Sequence, residues 1–140
     1  MNKRNKLLSL CLISSLIVIN GCGGKYSDAE KATNEYADIM EDFSTAINKS
    51  NSASDAAKAI NNFADRMVKL APKMEKLQKK YPELQTMDKL PKELEDAQKR
   101  LNEVSQKFTA SMIKMMPYMN DPEVQKAQER MDMLMQNMKM

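Results

Sequence analysis

Three groups of side chains in this 140-residue chain could do chemistry beyond packing: methionines, a lysine cluster and scattered carboxylates. There are 14 methionines, and nine of them lie between Met112 and Met140. Met112 with Met115, and Met116 with Met119, each form an M-x-x-M spacing that sets two thioethers on one helix face. Soft thioethers suit Cu(I) when several converge, and Met131, Met133, Met135, Met138 and Met140 could add ligands. Methionine is also an adaptable core filler, and Met67, Met74, Met115, Met131 and Met138 fall on apolar seams. Lys73, Lys76, Lys79 and Lys80 crowd the end of one amphipathic segment. Each could gain about 1 kcal/mol against anionic headgroups at a membrane surface. Cations are equally favoured at a helix C-terminus, where they meet the negative end of the helix dipole. Carboxylates gather at Asp38, Glu41 and Asp42 and again at Glu93, Glu95 and Asp96. None occupies a seam position. They therefore read as solvated faces rather than as a pair with displaced pKa values suited to acid–base work.

What is missing narrows the chemistry further. The chain has no histidine and no tryptophan. That removes His-based acid–base catalysis, Ser-His and Cys-His nucleophile systems, and the usual zinc sites. Glycine stops at Gly24, so no glycine-rich phosphate loop can form. The expectation is a protein that is not an enzyme and needs no cofactor, with Cu(I) as the alternative.

The N-terminus carries a different signal. Lys3, Arg4 and Lys6 precede an apolar run from Leu7 to Ile19, a charged region followed by an apolar stretch too short to span a bilayer as a permanent helix. The run ends in Ile19-Asn20-Gly21-Cys22. This resembles the lipobox of bacterial lipoproteins, with an aliphatic residue three before the cysteine and a small residue one before it. Asn20 is the less usual element of the match. The resemblance covers residues 1–22 and no family is recognised for the rest. It implies cleavage after Gly21, a covalent lipid on Cys22, and a cell-envelope location. Gly23, where Asp would resemble an inner-membrane retention signal, implies the outer membrane facing the periplasm in a two-membrane host. Acyl chains anchor because each buried methylene contributes about 0.8 kcal/mol.

Removing residues 1–21 changes two properties. The signal's three cations are the whole net charge, so the remaining chain has 19 Lys and Arg against 19 Asp and Glu. Its neutrality gives no argument for nucleic-acid binding. Cys11 leaves with the signal and Cys22 is consumed by lipid, so no thiol remains for a disulfide or a nucleophile.

The elements that position these groups are helices. A chain without internal glycine and rich in Ala, Lys, Glu, Met, Leu and Gln favours that state. After a tether at 22–26, a single bundle is expected over 27–140, with helices at about 27–49, 54–81, 91–119 and 122–138. Each carries a seam with alternating three- and four-residue steps. The seams are Ala29, Ala32, Tyr36, Ile39, Phe43 and Ala46; then Ala53, Ala56, Ile60, Phe63, Met67, Leu70, Met74, Leu77 and Tyr81; then Leu94, Ala97, Leu101, Val104 and Phe108, after which the apolar face drifts to Met112, Met115 and Met119; then Val124, Ala127, Met131, Leu134 and Met138. Ser27 and Glu30 read as a capping box for the first helix, Ser52 or Ser54 as the cap of the second, and Asp121 as the cap of the fourth. Pro72 lies inside the second seam without breaking its phase, which predicts one bent helix.

The result is an all-α, antiparallel three- to four-helix bundle with coiled-coil-like seams. From Lys25 to Lys49 the net charge is −3, and from Ser50 to Tyr81 it is +4, which favours an acidic helix beside a basic one. The functional expectation is a non-catalytic, lipid-anchored bundle that offers a surface to another envelope protein or to itself. Cu(I) binding through Met112, Met115, Met116 and Met119, or carriage of a small apolar ligand, are the alternatives.

Overall fold

The computed structural model describes residues 24–137. It contains four helices: α1 (Ser27–Lys49), α2 (Ala53–Lys80), α3 (Lys92–Met115) and α4 (Pro122–Asn137). Two short 3-10 turns, Pro82–Gln85 and Met116–Tyr118, lie in the last two connections. Helix α2 runs unbroken through Pro72. The chain is an all-α helical bundle, and its helix limits fall within a few residues of those read from the seams. The exception is the end of α3, where the turn containing Pro117 replaces the last α-helical residues.

The caps divide. Ser52 caps α2, its hydroxyl accepting from the Asp55 N–H at 3.2 Å, while the Asp55 carboxylate accepts from the Asn51 N–H at 3.3 Å. Asp121 caps α4, its Oδ1 accepting from the Glu123 N–H at 2.9 Å. The Ser27 box does not form. Ser27 is already the first helical residue, and Tyr26 precedes it with no side-chain cap bond. The Tyr26 N–H instead donates to Glu93 Oε2 at 3.2 Å, a carboxylate supplied by α3.

Chain direction alternates from helix to helix, but the neighbours are not the sequential ones throughout. Helix α1 is central, with α2 on one flank and α3 on the other, and α4 lies on α2. Helices α1 and α3 run parallel: contacts climb from Tyr26–Glu93, through Arg100 with Asp38 and Glu41, to Lys114 with the Asn48 carbonyl. A central helix needs two apolar faces. The expected seam of α1 is joined by Ala37, Met40, Ser44 and Ile47, all buried. Ala37 and Met40 pack with Val104 of α3. On α2, buried Ala57 and Ala64 lie outside the expected seam in the same way, and Ala57 packs with Val124 and Ala127 of α4.

Three phenylalanines, Phe43, Phe63 and Phe108, close the centre where α1, α2 and α3 meet. Their ring centroids lie 5.0 to 5.7 Å apart, the spacing of offset and edge-on aromatic contacts. Buried serines do not break this interior. Ser44 and Ser111 each donate to a backbone carbonyl of their own helix, and Ser50 to one in the last turn of α1, at 2.7 to 2.9 Å. No buried side-chain nitrogen or oxygen among the described residues lacks a partner.

Acidic α1 does lie beside basic α2, and the pairs fall in register. Asp28, Glu35 and Asp42 meet Lys80, Lys73 and Arg66, so each step of seven up α1 matches a step of seven down α2. Exposed pairs contribute about 0–1 kcal/mol each. The ladder therefore fixes register and adjacency more than it adds stability.

Candidate functional site

The lipobox-like Ile19–Cys22 stretch lies outside the described residues, as do Met138 and Met140. Two ends of the bundle carry the remaining candidates.

At the Gly24 end, a clasp ties the first residues of the bundle to the foot of α2 and the head of α3. The Tyr81 hydroxyl lies 2.7 Å from both the Lys25 carbonyl and Asp28 Oδ1. Its single proton serves one of them at a time. Lys80 Nζ donates to Asp28 Oδ2 at 2.6 Å, and Lys25 Nζ donates to Glu83 Oε1 at 2.8 Å. The rings of Tyr26 and Tyr81 pack edge to face at 5.1 Å, each with a lysine ammonium over it. The electrostatic consequences run both ways. Lys80, and then the Tyr81 hydroxyl, hold the Asp28 carboxyl below its ordinary range. Asp28 in turn pushes Lys80 up to about 12. Glu83, and then Tyr26, raise Lys25, while Lys25 lowers Glu83. Gly24 is tight against this clasp, since a Cβ there would fall on the Glu93 carboxylate.

The lysine cluster sits at this same end, and most of it is spoken for. Lys73 pairs with Glu35 at 2.7 Å, Lys79 with Glu75 at 2.6 Å, and Lys80 with Asp28. Lys76 has no ion-pair partner among the described residues. It shares a surface groove between α1 and α2 with Lys31, which has none either. Lys31 was not legible as part of a cationic surface, because only the pairing of α1 with α2 brings it to Lys76. A membrane-facing role for the cluster thus rests on Lys31 and Lys76, with the other three ammoniums neutralised in place.

The opposite end holds the methionines, and the fold divides the proposed quartet. Met115 is 2 % exposed and packs with Phe43, Ile47 and Val124, and Met119 lies against the same cluster. Gln128 Nε2 donates to Met119 Sδ at 3.0 Å. Met112 and Met116 point away, at 38 % and 65 % exposed. Four thioethers around one ion would require Met115 to leave the core. Met131 also packs inside, whereas Met133 is on the surface. What the division leaves exposed is a short apolar ridge of Met112, Ile113 and Met116, with Ile113 at 65 %. Ile113 lies outside the seams, so periodicity does not single it out. Its signal in the sequence is a large apolar residue on the face of Gln106, Thr109 and Ala110, which carries no other.

The first carboxylate cluster serves cations. Asp38 and Glu41 both accept from Arg100 Nη2, at 2.6 and 3.1 Å, and push that guanidinium up, Asp38 more strongly. Asp42 pairs with Arg66, and Glu93 takes the Tyr26 N–H. Among the described residues no three His, Cys, Asp or Glu side chains converge as a metal site requires. No helix there is long and apolar enough to cross a membrane. Comparison with protein families, with curated proteins and with solved structures finds no match to the chain.

Proposed function

We propose that the protein is a lipid-anchored, non-catalytic helical bundle of the bacterial cell envelope that presents an apolar ridge to a protein partner. Lipid on Cys22 holds it to the membrane, and in a two-membrane host that membrane is the outer one, with the bundle in the periplasm. The clasp leaves little free chain between residue 22 and the folded body. The bundle then acts as a spacer: the 23 residues of α1 span about 35 Å at 1.5 Å each. The observation that carries the reading is the ridge of Met112, Ile113 and Met116 at the end remote from Gly24. Large apolar side chains clustered on a surface, rather than scattered singly, mark interaction sites, and methionine suits a surface that adapts to its partner. The partner is another envelope protein or a second copy of this chain.

The test places a photocrosslinking residue at position 113 in the full chain, with a control at position 99 on the outer face of α3, and irradiates intact cells. A single crosslinked species specific to position 113, lost in Met116→Lys, supports the reading. Equal yields at both positions refute it. Mass spectrometry of the mature N-terminus tests the anchor separately: acylated Cys22 is expected, and Cys22→Ser should free the protein from membranes.

A further inference from the structure

Helices α2 and α3 both pack on α1 but not closely on one another. The Phe63–Phe108 contact bridges them at the centre. Below it, towards Gly24, they part, and the 3-10 turn Pro82–Gln85 with the link to α3 closes the gap from beneath. What remains is a half-open cavity of about 200 Å³. Its walls are Met74 and Leu77 from α2, Leu84 and Leu90 from the link, and Leu94 from α3, with the Tyr81 ring at the base.

Two features define what such a cavity can hold. The first is charge. Three other grooves on the surface are each lined by lysines and carboxylates. This one has no ionic side chain in its lining, so an ion entering it would be desolvated without a counter-charge. The second is the polar fringe. Thr33 donates to the Ala29 carbonyl, Gln98 to Asn102 Oδ1, and the Tyr81 hydroxyl belongs to the clasp. That leaves the carboxamides of Gln78 and Gln85, which make no side-chain hydrogen bond among the described residues. The pocket is open to solvent on one side, along the exposed Gln78, Gln85 and Leu90, and its volume is above the roughly 150 Å³ that accommodates benzene in an enclosed apolar cavity. The leucines and Met74 offer flexible aliphatic walls rather than parallel ring faces.

We infer that this cavity binds a single uncharged aliphatic chain, with the Gln78 and Gln85 carboxamides holding a hydroxyl or carbonyl at its end. The site is distinct from the ridge of Met112, Ile113 and Met116, and it does not depend on the lipid anchor. A ligand there would wedge α2 against α3 at the place where the bundle lacks direct helix–helix packing.

The experiment photolabels the purified full chain with a medium-chain aliphatic alcohol carrying a diazirine. The chain is held in zwitterionic phospholipid vesicles or, should it carry no lipid, in buffer. Adducts are mapped by peptide mass spectrometry. The expected result is labelling concentrated on residues 74–98 and suppressed several-fold by excess unmodified alcohol, but not by the matching carboxylate. Two variants test the geometry while circular dichroism confirms unchanged helicity. Thr33→Met fills the cavity from α1, and Gln98→Glu puts a charge on its rim with little change of shape. Each should cut labelling of 74–98 several-fold. The inference is overturned if adducts fall mainly on Ile113 and Met116, if the alcohol does not compete, or if both variants label like the parent.

Discussion

Phe43 is the single residue whose removal should cost the bundle most. It is 6 % exposed and lies 5.2 Å from the Phe63 ring and 5.0 Å from the Phe108 ring, centroid to centroid. Phe43→Ala removes the ring from the aromatic junction at the centre, where α1, α2 and α3 meet. Truncating a buried phenylalanine to alanine costs about 3–5 kcal/mol, with the larger values where the site cannot collapse. Here collapse would require three helices to move together, so we expect about 4 kcal/mol. The lost ring–ring contacts, about 0.5–1.5 kcal/mol each beyond burial, are part of that sum. Against a total stability of about 5–15 kcal/mol for a small domain, the variant would be folded but marginal. Its thermal midpoint should fall by about 15 °C at roughly 4 °C per kcal/mol. Urea denaturation followed by circular dichroism measures the loss directly, with the slope unchanged if only stability has moved. Ile113→Ala on the exposed ridge is the internal comparison, with an expected change within about 0.5 kcal/mol. A loss for Phe43→Ala below about 1.5 kcal/mol, or no larger than that for Ile113→Ala, would refute the placement of this ring at a three-helix junction.

Two further outcomes follow from the helices and the clasp. Pro72 interrupts the hydrogen-bond ladder of α2 on an exposed face. Pro72→Ala should therefore raise stability by about 1–3 kcal/mol, and a drop in the urea midpoint would show that the bundle needs the proline. The carboxyls of Asp28 and Glu83 are lowered in the folded state by Lys80 and Lys25. Groups so depressed stabilise above their unfolded pKa values and lose that contribution as pH falls through the folded ones. Thermal stability should thus decline below pH 3.8 to 4.5, the ordinary values of these groups. Asp28→Asn should flatten the acid limb, and high salt should weaken the effect because these groups are exposed. Lys25 and Lys80 are raised, so their contribution is complete at neutral pH and fades only above the ordinary lysine value of 10.5. An acid limb identical in Asp28→Asn and the parent would show that the Lys80 pair does not shift this carboxyl.

The sequence alone determined the helices, their limits and the principal seams. Those features are local: a three–four apolar rhythm, serine and aspartate at the starts, proline near the ends, and no glycine to compete. It also determined the lipobox-like resemblance at Cys22, because that signal is read along a contiguous stretch. What it could not determine was which helix touches which. The stripes Ala37–Met40–Ser44–Ile47 and Ala57–Ala64 have the right spacing, but small residues and serine do not announce a buried face until a neighbour covers them. Only the tertiary structure placed α1 at the centre, and four consequences came with that choice. Glu93 replaces the expected Ser27 box because α3 brings a carboxylate to the Tyr26 N–H. The lysines of α2 are largely neutralised because acidic α1 lies alongside in register. Met115 enters the core and Met119 packs half-buried against it while Met112 and Met116 stay outside, because the end of α3 and the turn after it present a single face to the core of α1, α2 and α4. A cavity opens between α2 and α3 because both are held by α1 and neither by the other. Secondary structure follows from interactions between residues a few positions apart. Sites arise where distant faces meet, and their geometry depends on packing energies summed over the whole bundle.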